Sequence, residues 1–420
     1  MKCLLFLASL SVLVIGAFKP VKPSDEPVTL VIGGDVLGYL APCGCTKPMV
    51  GGIRRWATAV RAVQSQGKAV VLVNGGVAGG LGRQHELKSE TLAESFKSLS
   101  IQALNLSAHE ANLGKDALIA IQRLSGGVLT TMSLAPSETL DASNSVEAGP
   151  FLIGGLLSEP MLVASVLGER PTVTDTAVDE LVLAAKSKGL KPVAMWSGGE
   201  AGARTLAQRH PELVAVTYSD SSVPRGKPMK EGDTWLLTPG EKGRTLVTAR
   251  WNGTEFEAYQ TVELGPEIKD DDEVSRAYHR YLERVADEDL LMKLPRSPGA
   301  RFAGNDKCFP CHEAAANVWK TSKHAVALAT LESEGHDKDP DCVGCHVVGL
   351  ESDTGFMTRA KTPHLTDVGC ESCHGPGALH AEDPPQNKLG QAGLNACMKC
   401  HVTEHSPNFD FSTYWEKIKH

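Results

Sequence analysis

The chain has 420 residues, 42 Lys plus Arg against 50 Asp plus Glu, and a formal net charge of −8. That length suffices for two or three domains, and an acidic balance without basic runs excludes nucleic acid and anionic membrane surfaces as partners. Of eleven cysteines, eight fall beyond residue 300, so the two ends of the chain carry different chemistry.

In chain order, Met1-Lys2 precedes an apolar run from Leu4 to Phe18, which reads as a secretory signal (residues 1–18) cleaved near Gly16 or Ala17. The run of 15 residues is short of the roughly 20 that a spanning helix needs. An uncleaved anchor tying the protein to a membrane is the alternative. Residues 19–27 form a spacer. From 28 to 265, short β-rich runs (Val28–Ile32, Ala69–Val73, Ile101–Leu106, Pro192–Trp196, Leu213–Tyr218) alternate with stretches of helical spacing. Those stretches are Ile53–Gln64, Leu87–Leu99, Asp116–Leu124, Asp175–Lys188 and Ala201–Arg209. Such alternation predicts an α/β layered domain. Trp235–Thr238, Arg244–Trp251 and Phe256–Val262 then read as a β-ribbon that closes it. Residues 266–301 read as a charged helix (Asp270–Ala286) and a Pro- and Gly-containing linker that begins at Leu294 and runs to Gly304.

Residues 302–420 are rich in Gly, Pro and polar types, too poor in apolar residues to bury much of a core unaided. One helix is predicted, over Glu313–Glu332. This region holds four Cys-x-x-Cys-His motifs: Cys308/Cys311/His312, Cys342/Cys345/His346, Cys370/Cys373/His374 and Cys397/Cys400/His401. In this pattern two thiols bond covalently to one haem and the adjoining imidazole becomes an axial ligand of the iron. A zinc ribbon pairs Cys-x-x-Cys knuckles but has no reason to place His after each one. Four covalently bound haem c groups are therefore expected, forming the core of a small, mostly helical, loop-rich domain. Export agrees with this, since c-type haem is attached outside the bacterial inner membrane.

The second axial position decides what each iron can do. An imidazole closes it for electron transfer, a thioether raises its potential, and a vacancy admits substrate. Six further histidines lie in this region: His324, His336, His364, His380, His405 and His420. His324 and His380 are the leading distal candidates, followed by His405 and His364. His336 reads as part of a solvated acidic loop, His420 as a frayed terminus, and Met357 as packing.

The segment Trp319-x-x-Ser322-x-His324, the Cys-x-x-Cys-His-x-x-Gly-Leu run at Cys342, and Gly369-Cys-Glu-Ser-Cys-His-Gly-Pro-Gly377 with trailing His380 carry a family resemblance. From Phe302 onward the chain resembles tetrahaem cytochromes of the c-554 type. The resemblance implies closely stacked, mostly bis-histidine haems, one of which can be five-coordinate, and a role in passing electrons between periplasmic redox proteins. It favours His324 and His380 as distal ligands.

Residues 28–262 resemble the periplasmic 5′-nucleotidase branch of the calcineurin-like metallophosphoesterases, which implies a four-layer α/β/β/α sandwich. The metal signatures are eroded. Asp35-Val-Leu-Gly38 keeps the carboxylate of the opening signature without its imidazole. Asn74-Gly-Gly-Val77 puts a valine where the family has its bridging Asp, and Ser107-Ala-His109-Glu110 keeps only its last two residues. Ser197-Gly-Gly199 and Tyr218-Ser-Asp220 lack the later histidines. Asp35 and His109 survive as a vestigial dimetal site, too few ligands to clamp two cations.

Cys43-Gly-Cys45 follows the first strand, where such a fold keeps its active-site mouth. Two thiols one residue apart read either as a redox-active or metal-binding pair or as ordinary loop cysteines. His85 and the run Gly75–Gly82 are expected on the same face.

Together these features describe an exported tetrahaem cytochrome that transfers electrons to and from redox partner proteins, with a non-catalytic phosphoesterase-like domain for docking. One alternative is a multihaem oxidoreductase acting on a small nitrogen or sulfur compound at an open haem. A second alternative is a metal-dependent phosphoesterase.

Overall fold

The computed structural model describes residues 26–42, 49–138, 140–221, 226–402, 405–406 and 408–420. The signal segment and the Cys43/Cys45 pair lie outside the described residues. Twelve strands are described: β1 (Val28–Gly33), β2 (Lys68–Val73), β3 (Ala103–Asn105), β4 (Leu129–Thr130), β5 (Ser145–Ala148), β6 (Phe151–Leu156), β7 (Lys191–Trp196), β8 (Ala215–Thr217), β9 (Met229–Glu231), β10 (Thr234–Leu237), β11 (Thr245–Trp251) and β12 (Phe256–Glu263).

They form two six-stranded sheets, in the orders β12-β11-β1-β2-β3-β4 and β5-β6-β7-β8-β10-β9. The first is parallel from β1 to β4, with β11 and β12 added antiparallel at the edge. In the second, β6, β7, β8 and β10 run parallel, flanked by antiparallel β5 and β9.

The period of two in a strand sends alternate side chains to opposite faces, and here both faces are buried. Leu30, Ile32, Val70 and Leu72 point at the other sheet, where they meet Phe151, Ile153, Val193, Met195 and Leu237. Val31, Val71 and Val73 point outward beneath the helices Ile53–Gln66, Arg83–Ser98, Lys115–Ser125 and Asp272–Asp287. On the far side, Leu152, Leu156 and Ala194 pack under helices Thr174–Lys188 and Glu200–Arg209. Helix, sheet, sheet, helix is the four-layer sandwich.

The helix that reads as a charged connector is part of the outer layer. Asp271 caps it by accepting from the backbone N–H groups of Glu273 and Val274, and Val274, Ala277, Tyr278, Tyr281 and Val285 make its buried stripe. Its charged residues pair across to neighbouring helices, as in Arg284–Glu90 at 2.7 Å and Arg280–Glu94 at 2.9 Å. The linker is also stitched down rather than free. Ser297 N–H donates to Glu351 O, Asp353 N–H donates back to Ser297 O, and the Arg296 guanidinium reaches the carbonyls of Ser352 and Phe356.

Past the linker, regular structure shrinks to short helical turns. A small core exists there without any cofactor: Leu291, Leu328, Val343, Val347, Val348, Leu350, Phe356 and Leu365. The expected helix over Glu313–Glu332 is broken into Glu313–Lys320, a 3-10 turn Lys323–Val326, and Ala327–Glu334. The cause is local: the Thr321 and Ser322 hydroxyls donate to the carbonyls of Val318 (2.9 Å) and Trp319 (2.7 Å), ending the first piece. Among the described residues no helix is long and apolar enough to cross a membrane.

Candidate metal centres

Each motif is wound on a short helical turn: Asn305–Cys308, Pro340–Val343, Cys370–His374 and Leu394–Cys397. Helical spacing puts the two thiols of a motif on one side of its turn. The following histidine closes the turn, with His312 N–H donating to Cys308 O at 3.1 Å and His401 N–H to Cys397 O at 2.9 Å. None of the eight motif cysteines is in a disulfide.

Cys311 differs from the other seven. Seven of the motif thiols are at least half-buried, whereas Cys311 is exposed, as is His312 beside it. The reason is its position on the turn: Asn305 and Cys308 face inward, toward Cys370 N–H and Gly304 O, whereas Cys311 follows the turn's last residue and lies on its outer end. The first motif therefore sits at the rim of the domain.

Three motif histidines face a second imidazole. Ring centres are 6.2 Å apart for His312 and His380, 6.3 Å for His401 and His324, and 5.9 Å for His374 and His420. Two imidazoles bound to one metal through bonds of about 2 Å, with each nitrogen about 1 Å from its ring centre, stand about 6 Å centre to centre. The residues thus fit an iron held between each pair. Among the described residues no histidine ring faces His346 in this way.

The hydrogen bonds favour the same use. Nδ1 of His346 lies 2.7 Å from Ala327 O, that of His374 3.0 Å from Gly390 O, that of His380 2.8 Å from Asn387 O, and that of His420 3.0 Å from Ile418 O. A carbonyl only accepts, so Nδ1 carries the proton and Nε2 keeps its lone pair for a metal. Burial pushes the His324 and His401 imidazoles below their ordinary value, which favours the neutral, ligating form.

The turn of the third motif lies against those of the first and the fourth, and Cys345 of the second motif lies beside Cys400 of the fourth.

Of the sequence candidates, His324 and His380 stand opposite motif histidines. His405 and His364 form no such ring pair among the described residues; the His364 ring packs against Gly304 instead. His420, expected as a frayed terminus, has its ring centre 5.9 Å from that of His374. His336, expected in a solvated loop, is half-buried: its ring nitrogens lie 3.2 Å from Tyr278 Oη and its Nδ1 lies 3.9 Å from Cys342 Sγ.

In the sandwich, Asp35 sits at the end of β1 with φ of 47°, and hydrogen bonds from the N–H groups of Asp35, Leu37 and Gly38 to the carbonyls of Gly75, Gly76 and Val77 zip its loop to the loop after β2. Gly79 allows this closeness, since a Cβ there would lie 2.2 Å from Leu37 O. Where the fold would gather cations, this chain has a neutral lattice. Ser219 Oγ donates to Asp35 Oδ1 (3.0 Å), Thr217 Oγ1 to Asn74 Oδ1 (2.6 Å), and Asn74 Nδ2 to Trp196 O (2.8 Å). Asn105 Nδ2 likewise reaches Met195 O at 2.9 Å.

Glu110 is spent on the backbone N–H groups of Val77 and Ser107 and on the Ser107 hydroxyl. Burial pushes the Asp35 carboxyl up to about 7, opposed by the Ser219 hydroxyl and reinforced by Glu110, Glu241 and Asp220. Asn74, Ser219 and Thr217 carry no sequence signal of their own. The residues do not fit a dimetal centre: His109, the remaining imidazole, has its backbone N–H in the helix cap at Ser107 and joins none of these bonds. His85 packs its ring on Gly80, as the shared face predicts.

Residues 307–375 match the family cytochrome c554 and c-prime. The chain is 40% identical over 108 residues to cytochrome c-554 of Nitrosomonas europaea, a match that spans 22% of this chain and 45% of that protein, less than half its length. By structure, the 5′-nucleotidase precursor of Thermus thermophilus aligns with a TM-score of 0.54 and 16% identity, over 74% of this chain and 68% of that one. The NAD nucleotidase of Haemophilus influenzae aligns at 0.54 and 12%, over 67% and 64%. The C-terminal region is therefore similar to cytochromes of the c554 family, and the N-terminal part has a fold like that of the 5′-nucleotidases.

Proposed function

We propose that this chain is an exported cytochrome that binds four haem c groups and carries electrons between redox partner proteins, with the sandwich as a docking scaffold. The observation that carries this reading is the set of three facing imidazole pairs, each joining a motif histidine to one outside the motifs. Bound haem supplies a reversible one-electron couple and, at an iron with one axial ligand, a coordination position for a small molecule. The chain's part is to hold and space these groups. His312 with His380, His401 with His324, and His374 with His420 would close three irons. The exposure of Cys311 and His312 supports the first motif's haem as a point of electron entry or exit.

The contacts of the third motif's turn with those of the first and fourth support haems close enough to exchange electrons. His346, without a facing imidazole, supports a second reading in which a small nitrogen or sulfur compound reacts at the second motif. Residues 1–18 direct export in either case, and Cys43/Cys45 is proposed as a redox-active pair from its spacing alone.

Two measurements test the reading. Mass spectrometry of the mature protein is expected to find four added haems, and its ferric spectrum one high-spin component in four, shifted by cyanide or nitrite. A mass without four haems, or bound zinc instead, defeats the proposal. A wholly low-spin spectrum removes the second reading and leaves the first. For the sandwich, no chelator-sensitive phosphate release from nucleotides is expected, because the Asp35 site is closed by Ser219, Asn74 and Thr217. Such release at an ordinary enzyme rate would restore the phosphoesterase alternative.

A further inference from the structure

The motif with no facing imidazole is also the one on which the sandwich sits. Cys342 rides on the turn Pro340–Val343, which Asp339 caps by accepting from Asp341 N–H. Asp339 is 6% exposed. Its two carboxylate oxygens are taken up by groups from the sandwich's outer helices. Gln84 Nε2 donates to Oδ1 at 2.7 Å and Tyr281 Oη to Oδ2 at 3.3 Å.

Beside them, Tyr278 stacks on Tyr281 with ring centres 6.1 Å apart and holds His336 against Cys342. Lys88 pairs with Asp341, and the Arg54 guanidinium lies 4.7 Å over the Tyr278 ring. Ligating atoms of His336, Asp339 and Cys342 all lie within 4.8 Å of one another. A separate metal there is ruled out by the second motif's own need for the Cys342 sulfur. What remains is a buried carboxyl group beside the second motif. Burial raises its pKa, opposed by Lys88 and the Asp341 N–H, and the Gln84 and Tyr281 donors favour its charged form.

A fixed negative charge in a poorly screened interior favours the more positive of two oxidation states nearby. We propose that the sandwich tunes the second-motif haem selectively: by gripping Asp339 through Gln84 and Tyr281, it stabilises ferric iron there and lowers that haem's midpoint potential. This gives the sandwich a role that needs no metal of its own, and it rests on the reading of Cys342, Cys345 and His346 as a haem site. Asp339 is a positioning and tuning residue, since it touches neither iron nor substrate.

Spectroelectrochemical titration of the full-length holoprotein tests this, with the high-spin component reporting the second-motif haem. Asp339→Asn keeps the helix cap and an acceptor for Gln84 while deleting the charge. The expected result is an upward shift of the high-spin midpoint, with the three low-spin midpoints and the haem count unchanged. Gln84→Leu combined with Tyr281→Phe, which removes the sandwich's grip, is expected to move the same component in the same direction. An unmoved high-spin midpoint in Asp339→Asn, or an equal shift in all four haems, overturns the proposal while leaving the haem assignment standing. A wild-type protein with fewer than four haems overturns both, and a spectrum with no high-spin component overturns the proposal while leaving the haem assignment standing.

Discussion

Glu371→Ala is expected to destabilise the haem-bearing region by about 3 kcal/mol or more, with the sandwich unaffected. Glu371 lies between the two cysteines of the third motif and is 4% exposed. Its carboxylate accepts from three backbone N–H groups: Ala303 at 2.9 Å, Gly304 at 2.8 Å and Gly377 at 2.6 Å. One side chain thus ties the approach to the first motif, the third motif and the glycine turn after it. Each buried donor left without a partner costs about 1–3 kcal/mol, so losing three outweighs any single apolar contact in so small a core. Glu371→Gln keeps one accepting oxygen and turns an NH2 toward a remaining donor, so an intermediate loss is expected. Urea unfolding followed at the haem Soret band, and separately by far-ultraviolet dichroism of the sandwich, reads the two regions apart. A Glu371→Ala midpoint within error of wild type would show that water replaces the carboxylate, and the clamp would be of no energetic account.

Glu371 also marks where sequence reading stops. The Cys-Glu-Ser-Cys-His motif is legible, but that its Glu anchors three amides is not, because the partners are backbone atoms brought close only by folding. The same holds for Cys311: its place in a haem motif is legible, its exposure at the rim is not. The sandwich is legible in β1 and β2 because strands covered on both faces are apolar throughout, as in Val28–Ile32 and Ala69–Val73.

Strand β6 is hidden by Gly154 and Gly155, which weaken its apolar pattern. The structure explains Gly155: a Cβ there would lie 2.3 Å from Thr130 O and 2.5 Å from Asn105 Oδ1, where the two sheets close on each other. The eroded metal signatures are readable as losses. What replaced them is not, since Asn74, Thr217 and Ser219 are ordinary residues until the sheets bring them together. For the distal histidines, His324 and His380 lead in the sequence, but which motif each serves is not legible there: the facing rings are long-range pairs, and His420 pairs with His374 from the very end of the chain.

His324→Ala is expected to convert a second haem to high spin, raising the open fraction from one in four to two in four, while the haem count stays at four. The ring of His324 faces His401, so its loss opens the iron of the fourth motif although the substitution lies close to the first. That crossed assignment depends on the break after Lys320, which turns the chain and delivers His324 away from the motif preceding it. The delivery is rigid. Trp319 Nε1 donates to Val368 O at 2.8 Å, Val368 N–H donates to His324 O at 3.1 Å, and Asp367 Oδ1 accepts from Leu328 N–H at 2.9 Å. The segment between the first and second motifs is thus pinned along the approach to the third, and no other imidazole among those contacts can take the vacated place. Imidazole added to the buffer is expected to restore the low-spin spectrum, because the variant loses a ligand and keeps the pocket. His405→Ala, a side chain with no facing motif ring, is the control and is expected to leave spin state unchanged. Should His405→Ala open an iron while His324→Ala does not, the pairing read from the ring geometry is wrong.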